Sequence, residues 1–595
     1  LSVVPGFFGF ISNKKEILDK DINIYDIIDE NQHLIEEERK ITTPLLYGKF
    51  FRNTIKKFEK DKMFKENQNH FSILDGVILN KGDLYREYNV NEDRIETLLN
   101  KMSNIDPKTF FQKFRGSFGG ALLNKDENLF TLYTNHVGDK EIFYHIHEKE
   151  NTLYFATEFE VLIKLVCEKT GGKFRINHNA AYSLMTHSHV LCNETLFEDV
   201  YRLTPGHYIE YSTSGIDKKC YYTLNNRPIE ISEAEALEKL DVLFKNAIKR
   251  AFEKDLEYGY KHLVALSGGL DSRMTAWVAH TMGYTNMLNY TFSQTDYLDE
   301  KIPKQISDKL KTEWMFKALD NGTYIYKYFD ESVKISGARS QACTIAHTLS
   351  MVSNINLDKY GIIHTGQIGD AIIGTFYDKG ERKSFAPGAG AYSTKLIDKV
   401  EYDVDKAFHL EDQEVFKFYN RGFTGVNTGL KPMFQYTETI SPFLDIDFME
   451  FCLTLPLEYR KGHRIYIKWI NEYYPEAADF IYEKVKGKIN KKVITVKGVP
   501  VPWTSIPAAG IKLVKNKLGL KLNSKNHMHP MDYWYRTNKY LKEFYEERYD
   551  ENINLIQDTT LKNDCADLFR EGSTLEKDQV VTFLVFVNQM NKYIM

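Results

Sequence analysis

The stretch that most constrains this chain is Leu263-Val264-Ala265-Leu266-Ser267-Gly268-Gly269-Leu270-Asp271-Ser272. Its apolar start reads as a buried strand, and it breaks at Ser-Gly-Gly ahead of a helical pattern carrying Met274, Trp277 and Val278. Glycines let the backbone turn tightly and approach a ligand closely. The N–H groups of such a turn, and of the first helical turn after it, are expected to stay unpaired and to face an anion. The stretch therefore reads as a phosphate cradle. It is not a Walker loop, because the Gly-Lys-Ser/Thr ending is missing. The competing reading is a plain strand-to-helix turn in which Asp271 and Ser272 only cap the helix.

Around this stretch the pattern alternates. A polar break at Asn225-Asn226-Arg227-Pro228 precedes an amphipathic helix with Leu237, Leu240, Phe244, Ala247, Ile248 and Ala251 on one stripe. Then come the Leu263 strand, a strand over 287–292, a helix over 302–310 and a strand at Ile362-Ile363-His364. Alternation of buried strands and helices predicts an α/β domain over 226–595 with a doubly wound parallel sheet and ligands at the carboxyl ends of its strands. Residues 1–225 read differently, as short strands at 6–12, 71–80, 118–123, 129–133 and 142–144 with a helix over 95–99, which predicts a separate α+β domain.

Composition narrows the class. With 595 residues, 43% of them hydrophobic, the chain can bury a large core, and a net charge of -4 gives no electrostatic reason to bind nucleic acid or a membrane surface. The six cysteines contain no Cys-x-x-Cys pair, which argues against a zinc knuckle or redox pair and fits a reducing cytoplasm. His187-Ser188-His189 has no third ligand nearby in sequence and reads as polar surface rather than as a metal site, and so does His207.

The order Ser-Gly-Gly-x-Asp-Ser resembles the pyrophosphate loop of ATP pyrophosphatases, which cleave ATP between the α and β phosphates. That resemblance implies ATP and Mg²⁺ as cofactors. Leu266, Gly268 and Gly269 would line the nucleotide, Ser267 and Ser272 would bind pyrophosphate, and Asp271 would hold the metal. Thr365-Gly366-Gln367-Ile368-Gly369-Asp370 follows the Ile362 strand, and here Asp370 is the expected second metal ligand. Together with Pro442-Phe443-Leu444-Asp445 and Glu438, these motifs resemble the asparagine synthetase family, which includes β-lactam synthetases and lasso-peptide cyclases. In the first domain, 115–119, 137–144 and 155–158 resemble its glutamine-hydrolysing half, an Ntn-hydrolase-like αββα sandwich.

The resemblance implies ATP-dependent amide formation. A carboxylate is adenylated with loss of pyrophosphate, and an amine then displaces AMP. It assigns catalytic roles to Glu438 and Lys484, with Lys486 as the fallback, and places Arg339 and Gln367 at the acid substrate. Arg339 reads equally well as a surface residue. Departures from the family also matter. Pro5 stands where a nucleophilic cysteine is expected, Asp75-Gly76-Val77 lacks the carboxylate that grips glutamine, and Gln367 replaces a glutamate and cannot act as a base. A rival places Ser2 as an N-terminal nucleophile, three residues out of register. The expected partners are thus a small-molecule or peptide carboxylate and ammonia or an amine on the acceptor itself, with a homodimer left open. A catalytically silent nucleotide-binding scaffold and a tRNA thiolase are the alternatives from other classes.

Loss of both glutaminase parts carries a test. The purified protein, given glutamine with or without ATP, is expected to release no glutamate above background in a coupled dehydrogenase assay.

Overall fold

The structure, a computed structural model, describes residues 5–30, 33–91, 93–102, 111–402, 410–490, 493–496, 499–502 and 527–595. Ser2 and the basic run from Lys512 to Lys525 lie outside these. Strand β1 (Gly6–Ser12) is buried along its whole length. Alternation sends Phe7 and Ile11 into one core and Phe8 and Phe10 into another. Strands β2 (Leu34–Thr42), β3 (Tyr47–Ile55), β4 (Met63–Glu66), β5 (His70–Ile78), β6 (Gly116–Asn124), β7 (Leu129–Thr134), β8 (Phe143–His147), β9 (Thr152–Ala156), β10 (Val200–Arg202), β11 (His207–Ser212) and β12 (Gly215–Cys220) follow.

They form two six-stranded antiparallel sheets, ordered β10-β8-β9-β1-β3-β2 and β12-β11-β7-β6-β5-β4. Phe7, Phe50, Phe71, Phe130 and Phe155 fill the space between them. Helices Phe159–Thr170 and His178–His187 cover the outer face of the first sheet, and Ile95–Met102 covers that of the second. This is the expected sandwich. The sequence pattern missed β2 because Glu36, Glu37, Glu38, Arg39 and Lys40 lie on a sheet edge, where charge rather than apolar alternation is the rule.

The second domain begins with helix Glu233–Glu257, whose capping box joins Ser232 to Glu235. Strands β13 (Lys261–Ala265), β14 (Met287–Ser293), β15 (Glu313–Ala318), β16 (Tyr360–His364) and β17 (Thr439–Ile440) make a parallel sheet in the order β15-β14-β13-β16-β17. Chain order reverses between β13 and β16, so the crevice beyond their carboxyl ends is the switch point where such sheets bind ligands. Beneath it Asp255, from the Glu233–Glu257 helix, accepts bonds from both neighbouring strands, His262 at 2.8 Å and His364 at 2.7 Å. No helix among the described residues is long and apolar enough to cross a membrane.

The two domains do not keep separate cores. The C-terminal helix Thr574–Met590, capped by Ser573 and Glu576, packs Phe586 against Phe159 and Phe197 of the first domain. Two buried ionic clusters also cross the seam. In one, Lys140 reaches Glu438 at 2.9 Å and Asp75 at 3.3 Å, with Lys62 at 3.7 Å from Glu438. In the other, Glu141 meets Arg202, Arg339 and Lys431 at 3.1, 2.9 and 3.2 Å, and Lys431 also faces Glu158 at 3.5 Å.

These clusters correct two expectations. Glu438 is 1% exposed and Arg339 is fully buried, and each is held by opposite charges from the first domain. Neither can leave its partner without stranding a buried charge, so neither is a free catalytic acid or a substrate clamp.

The second cluster is titratable. Three cations hold the Glu141 carboxyl down at about 2 against the penalty of burial, whereas burial dominates at Glu158 and raises it to about 8. An acid with a raised pKa in the fold costs stability as pH climbs from its unfolded value toward the folded one. Glu158→Gln is therefore expected to gain stability over the parent between pH 4.5 and 8, by at most about 1.4 kcal/mol per pH unit. Denaturant midpoints at pH 5 and pH 8 check this.

Candidate active site

The loops that end β13 and β16 meet at the switch point. Thr365 continues the sheet by donating its N–H to the Ile440 carbonyl, and Gly366 then runs against the start of helix Leu270–Thr281. A Cβ on Gly366 would lie 2.3 Å from the Ser272 nitrogen and 2.5 Å from the Asp271 carbonyl carbon. Only glycine allows that approach. The chain next passes through Ile368, a β-branched residue with φ of 65°, and enters the short helix Gly369–Ile373. A left-handed β-branched residue is strained by about 1–3 kcal/mol, and such strain concentrates at functional sites.

This route brings the two expected metal ligands together. The Asp370 N–H donates to Asp271 Oδ2 at 2.9 Å, and Tyr466 donates its hydroxyl to Asp271 Oδ1 at 3.0 Å. Burial first, and the neighbouring Asp370 second, push the Asp271 carboxyl well above the usual carboxylate range. Two acids so placed are a donor set of hard oxygens whose repulsion a divalent cation relieves, so the residues fit Mg²⁺. Lys484 already supplies some relief, with its ammonium 3.7 Å from Asp370 and more than half exposed. Lys486 makes no such pair and turns the chain with φ of 54°.

The cradle itself differs from expectation. Its N–H groups are occupied: Ser267 N–H donates to Ser272 Oγ at 2.9 Å, Gly268 N–H to Asp299 Oδ1 at 2.7 Å and Gly269 N–H to Ser267 Oγ at 3.2 Å. Asp299 occupies an anion's place, and burial raises its carboxyl to about 6. Helix Leu270–Thr281, by contrast, has glycine at its N-cap and no side-chain cap. The donors left to face an anion here are thus its first turn and the one serine hydroxyl that does not donate to the other, the two lying 2.9 Å apart.

A cavity of about 450 Å³ opens from this point. Leu266, Ser267, Gly269, Asp271, Ser272, Thr365, Gly366 and Gln367 all line it; Gly268, Asp370, Glu438, Arg339 and Lys484 are not part of its wall. Several wall atoms are buried and make no hydrogen bond: Thr365 Oγ1, Gln367 Oε1, Gln341 Oε1 and His189 Nε2. Unpaired polar atoms in a cavity of this size mark where a ligand completes the bonding.

The comparisons bear on the first domain. Residues 54–222 match the family model of a glutamine amidotransferase domain. No curated protein sequence matches the chain. Among solved structures, an allosteric regulatory enzyme of purine biosynthesis is 9% identical over 53% of this chain and 80% of its own, with a TM-score of 0.25. Glutamine phosphoribosylpyrophosphate amidotransferase from B. subtilis is 8% identical over 60% and 80%, with a TM-score of 0.24. NMN synthetase from Francisella tularensis is 11% identical over 40% and 97%, with a TM-score of 0.17. At scores this low no residue role carries over.

Within the amidotransferase-type domain, the position expected to grip glutamine is closed by its own contacts. Asp75 accepts from Thr54 at 3.0 Å and pairs with Lys140, which helps hold its carboxyl at about 2 against burial, while Val77 is fully buried. Sequence reasoning missed the histidines. His187 and His189 are buried, not surface, and His189 lines the cavity because helix His178–His187 ends there in a left-handed turn at Ser188. His347, stacked on Phe292 at 4.7 Å, had no sequence signal at all.

The tight loop crossing is testable. Gly366→Ala is expected to cost on the order of 1–3 kcal/mol, with a matching fall in nucleotide affinity, because the obstacle is backbone and cannot rotate away. Thermal melting and equilibrium dialysis with ATP measure the two effects.

Proposed function

We propose that this chain is an ATP-dependent, amide-forming ligase that adenylates a carboxylate with release of pyrophosphate and then passes the acyl group to an amine with release of AMP. The observation that carries this reading is the convergence of Asp271, Asp370 and Lys484 on an uncapped helix N-terminus at the rim of a ligand-sized cavity. Adenylation needs charge stabilisation on the departing pyrophosphate more than it needs an acid or base. Mg²⁺ bound by Asp271 and Asp370 would supply neutralisation of the phosphate charge.

The chain's own groups do the rest. Whichever of the Ser267 and Ser272 hydroxyls does not donate to the other faces phosphate oxygens at the turn, and the Leu270–Thr281 helix adds its positive end. Tyr466 fixes the Asp271 carboxylate in orientation, while the Tyr297 hydroxyl holds Glu483 and so anchors the loop that presents Lys484. The Lys484 ammonium steadies the oxyanion and the departing AMP phosphate in the second step. Gln367 lines the cavity but cannot take a proton, so the amine attacks neutral, as ammonia or as an amine on the acceptor, and the proton it sheds on forming the amide goes to the departing AMP phosphate or to water. Nitrogen does not come from glutamine.

Asp271→Asn and Asp370→Asn are each expected to abolish acid-dependent exchange of labelled pyrophosphate into ATP, with the circular dichroism of the parent retained. Lys484→Met is expected to slow amide formation about 100-fold or more while ATP affinity stays unchanged. ATP binding without exchange for any acid tested would instead favour a nucleotide-binding scaffold.

A further inference from the structure

The cavity wall has an unusual charge balance. Apart from Asp271, no aspartate or glutamate among the described residues lines it, and its one cation is Arg421. Arg421 sits on a π-helical segment, Phe418–Val426, a rare geometry that recurs at functional sites. Its guanidinium lies over the Tyr392 ring at 5.4 Å and the Phe376 ring at 5.9 Å, and no carboxylate pairs with it among the described residues. The buried Arg202 and Arg339, by contrast, are committed to Glu141, whereas Arg421 is half-buried. Arg421 lies against aromatic faces, and no hydrogen bond from its guanidinium is made among the described residues.

We propose that Arg421 binds a carboxylate of the acid substrate, and that this acid carries no α-ammonium group; the proposal rests on the ligase reading above. Next to Arg421, the next residue but three, Gly425, packs against His189, where a Cβ would lie 2.9 Å from Nδ1. Burial first, then His187 and Arg421, hold the His189 imidazole well below its ordinary range, and burial holds His347 down at about 3. Both rings are therefore neutral and cannot repel the arginine. The rest of the wall offers hydroxyls, the Gln341 amide and the apolar surfaces of Tyr290, Phe292 and Met433. A bidentate guanidinium matches a carboxylate, and neutral donors and acceptors match hydroxyl or amide groups. Apart from Asp271, which the ligase reading gives to the metal, no charged group among the described wall residues matches an ammonium ion, which would enter without a counter-charge.

Matched acids test this in pyrophosphate exchange: aspartate against succinate, and phenylalanine against 3-phenylpropionate. The expected result is a preference for the ammonium-free member of a pair of at least about 100-fold in kcat/KM. Arg421→Gln is expected to raise the acid KM about 100-fold, Arg421→Lys to recover part of it, and the ATP KM to stay within about two-fold. Equal or better exchange with the amino acids overturns the substrate class while leaving the ligase reading intact. An unchanged acid KM in Arg421→Gln, or a rise in the ATP KM instead, overturns the role of Arg421. Silence from every acid with ATP still bound overturns the ligase reading and this inference together.

Discussion

The hydrogen bond from the Asp370 N–H to the Asp271 carboxylate, 2.9 Å long, is the contact on which the rest of the site depends. It draws the loop after β16 across the first turn of the helix after β13, and it does so at a distance only Gly366 allows. Once the loops cross, the two acids are neighbours whether or not a ligand is present. The protein tolerates that repulsion by burying one of them, and Asp271 responds by holding its proton more tightly. A cation and a phosphate would find the arrangement already made, which is how a site avoids reorganising during reaction.

The seam between the domains follows the opposite logic. There, charges are fully matched and taken out of use. Glu438 and Arg339, which motif position alone marks as chemical, are each locked to a partner from the amidotransferase-type domain. Replacing such clusters with apolar residues is often neutral for stability, so their worth lies in fixing one arrangement of the two domains. In the two-sheet scaffold of the amidotransferase-type domain, Asp75 is part of this ionic joint. The domain contributes Ser188 and His189 to the cavity wall.

Between these two regions lies a cavity with little charge. Neutral imidazoles, hydroxyls, amides and aromatic faces dominate its wall. In such a setting a single guanidinium exerts a stronger pull than it would at the surface, since little water screens it. On the proposed reading, the paired acids and the lysine at the rim would face phosphate, and Arg421 with neutral groups would face the acid.

How much of this was legible in the sequence depends on the range of the signal. The turn after β13 and the loop to Asp370 were readable, because each is set by residues a few positions apart. Periodicity, glycine at a forced approach and a carboxylate at a helix start are local requirements. The tertiary structure alone decided which charges stay available. Arg339 is cancelled by Glu141, 198 residues away, and Glu438 by Lys140, 298 residues away, while Arg421 is left to two aromatic rings. His189, too, became part of the site only through packing. Sequence specifies which side chains can carry a charge or a proton; burial against distant partners determines which of them still can.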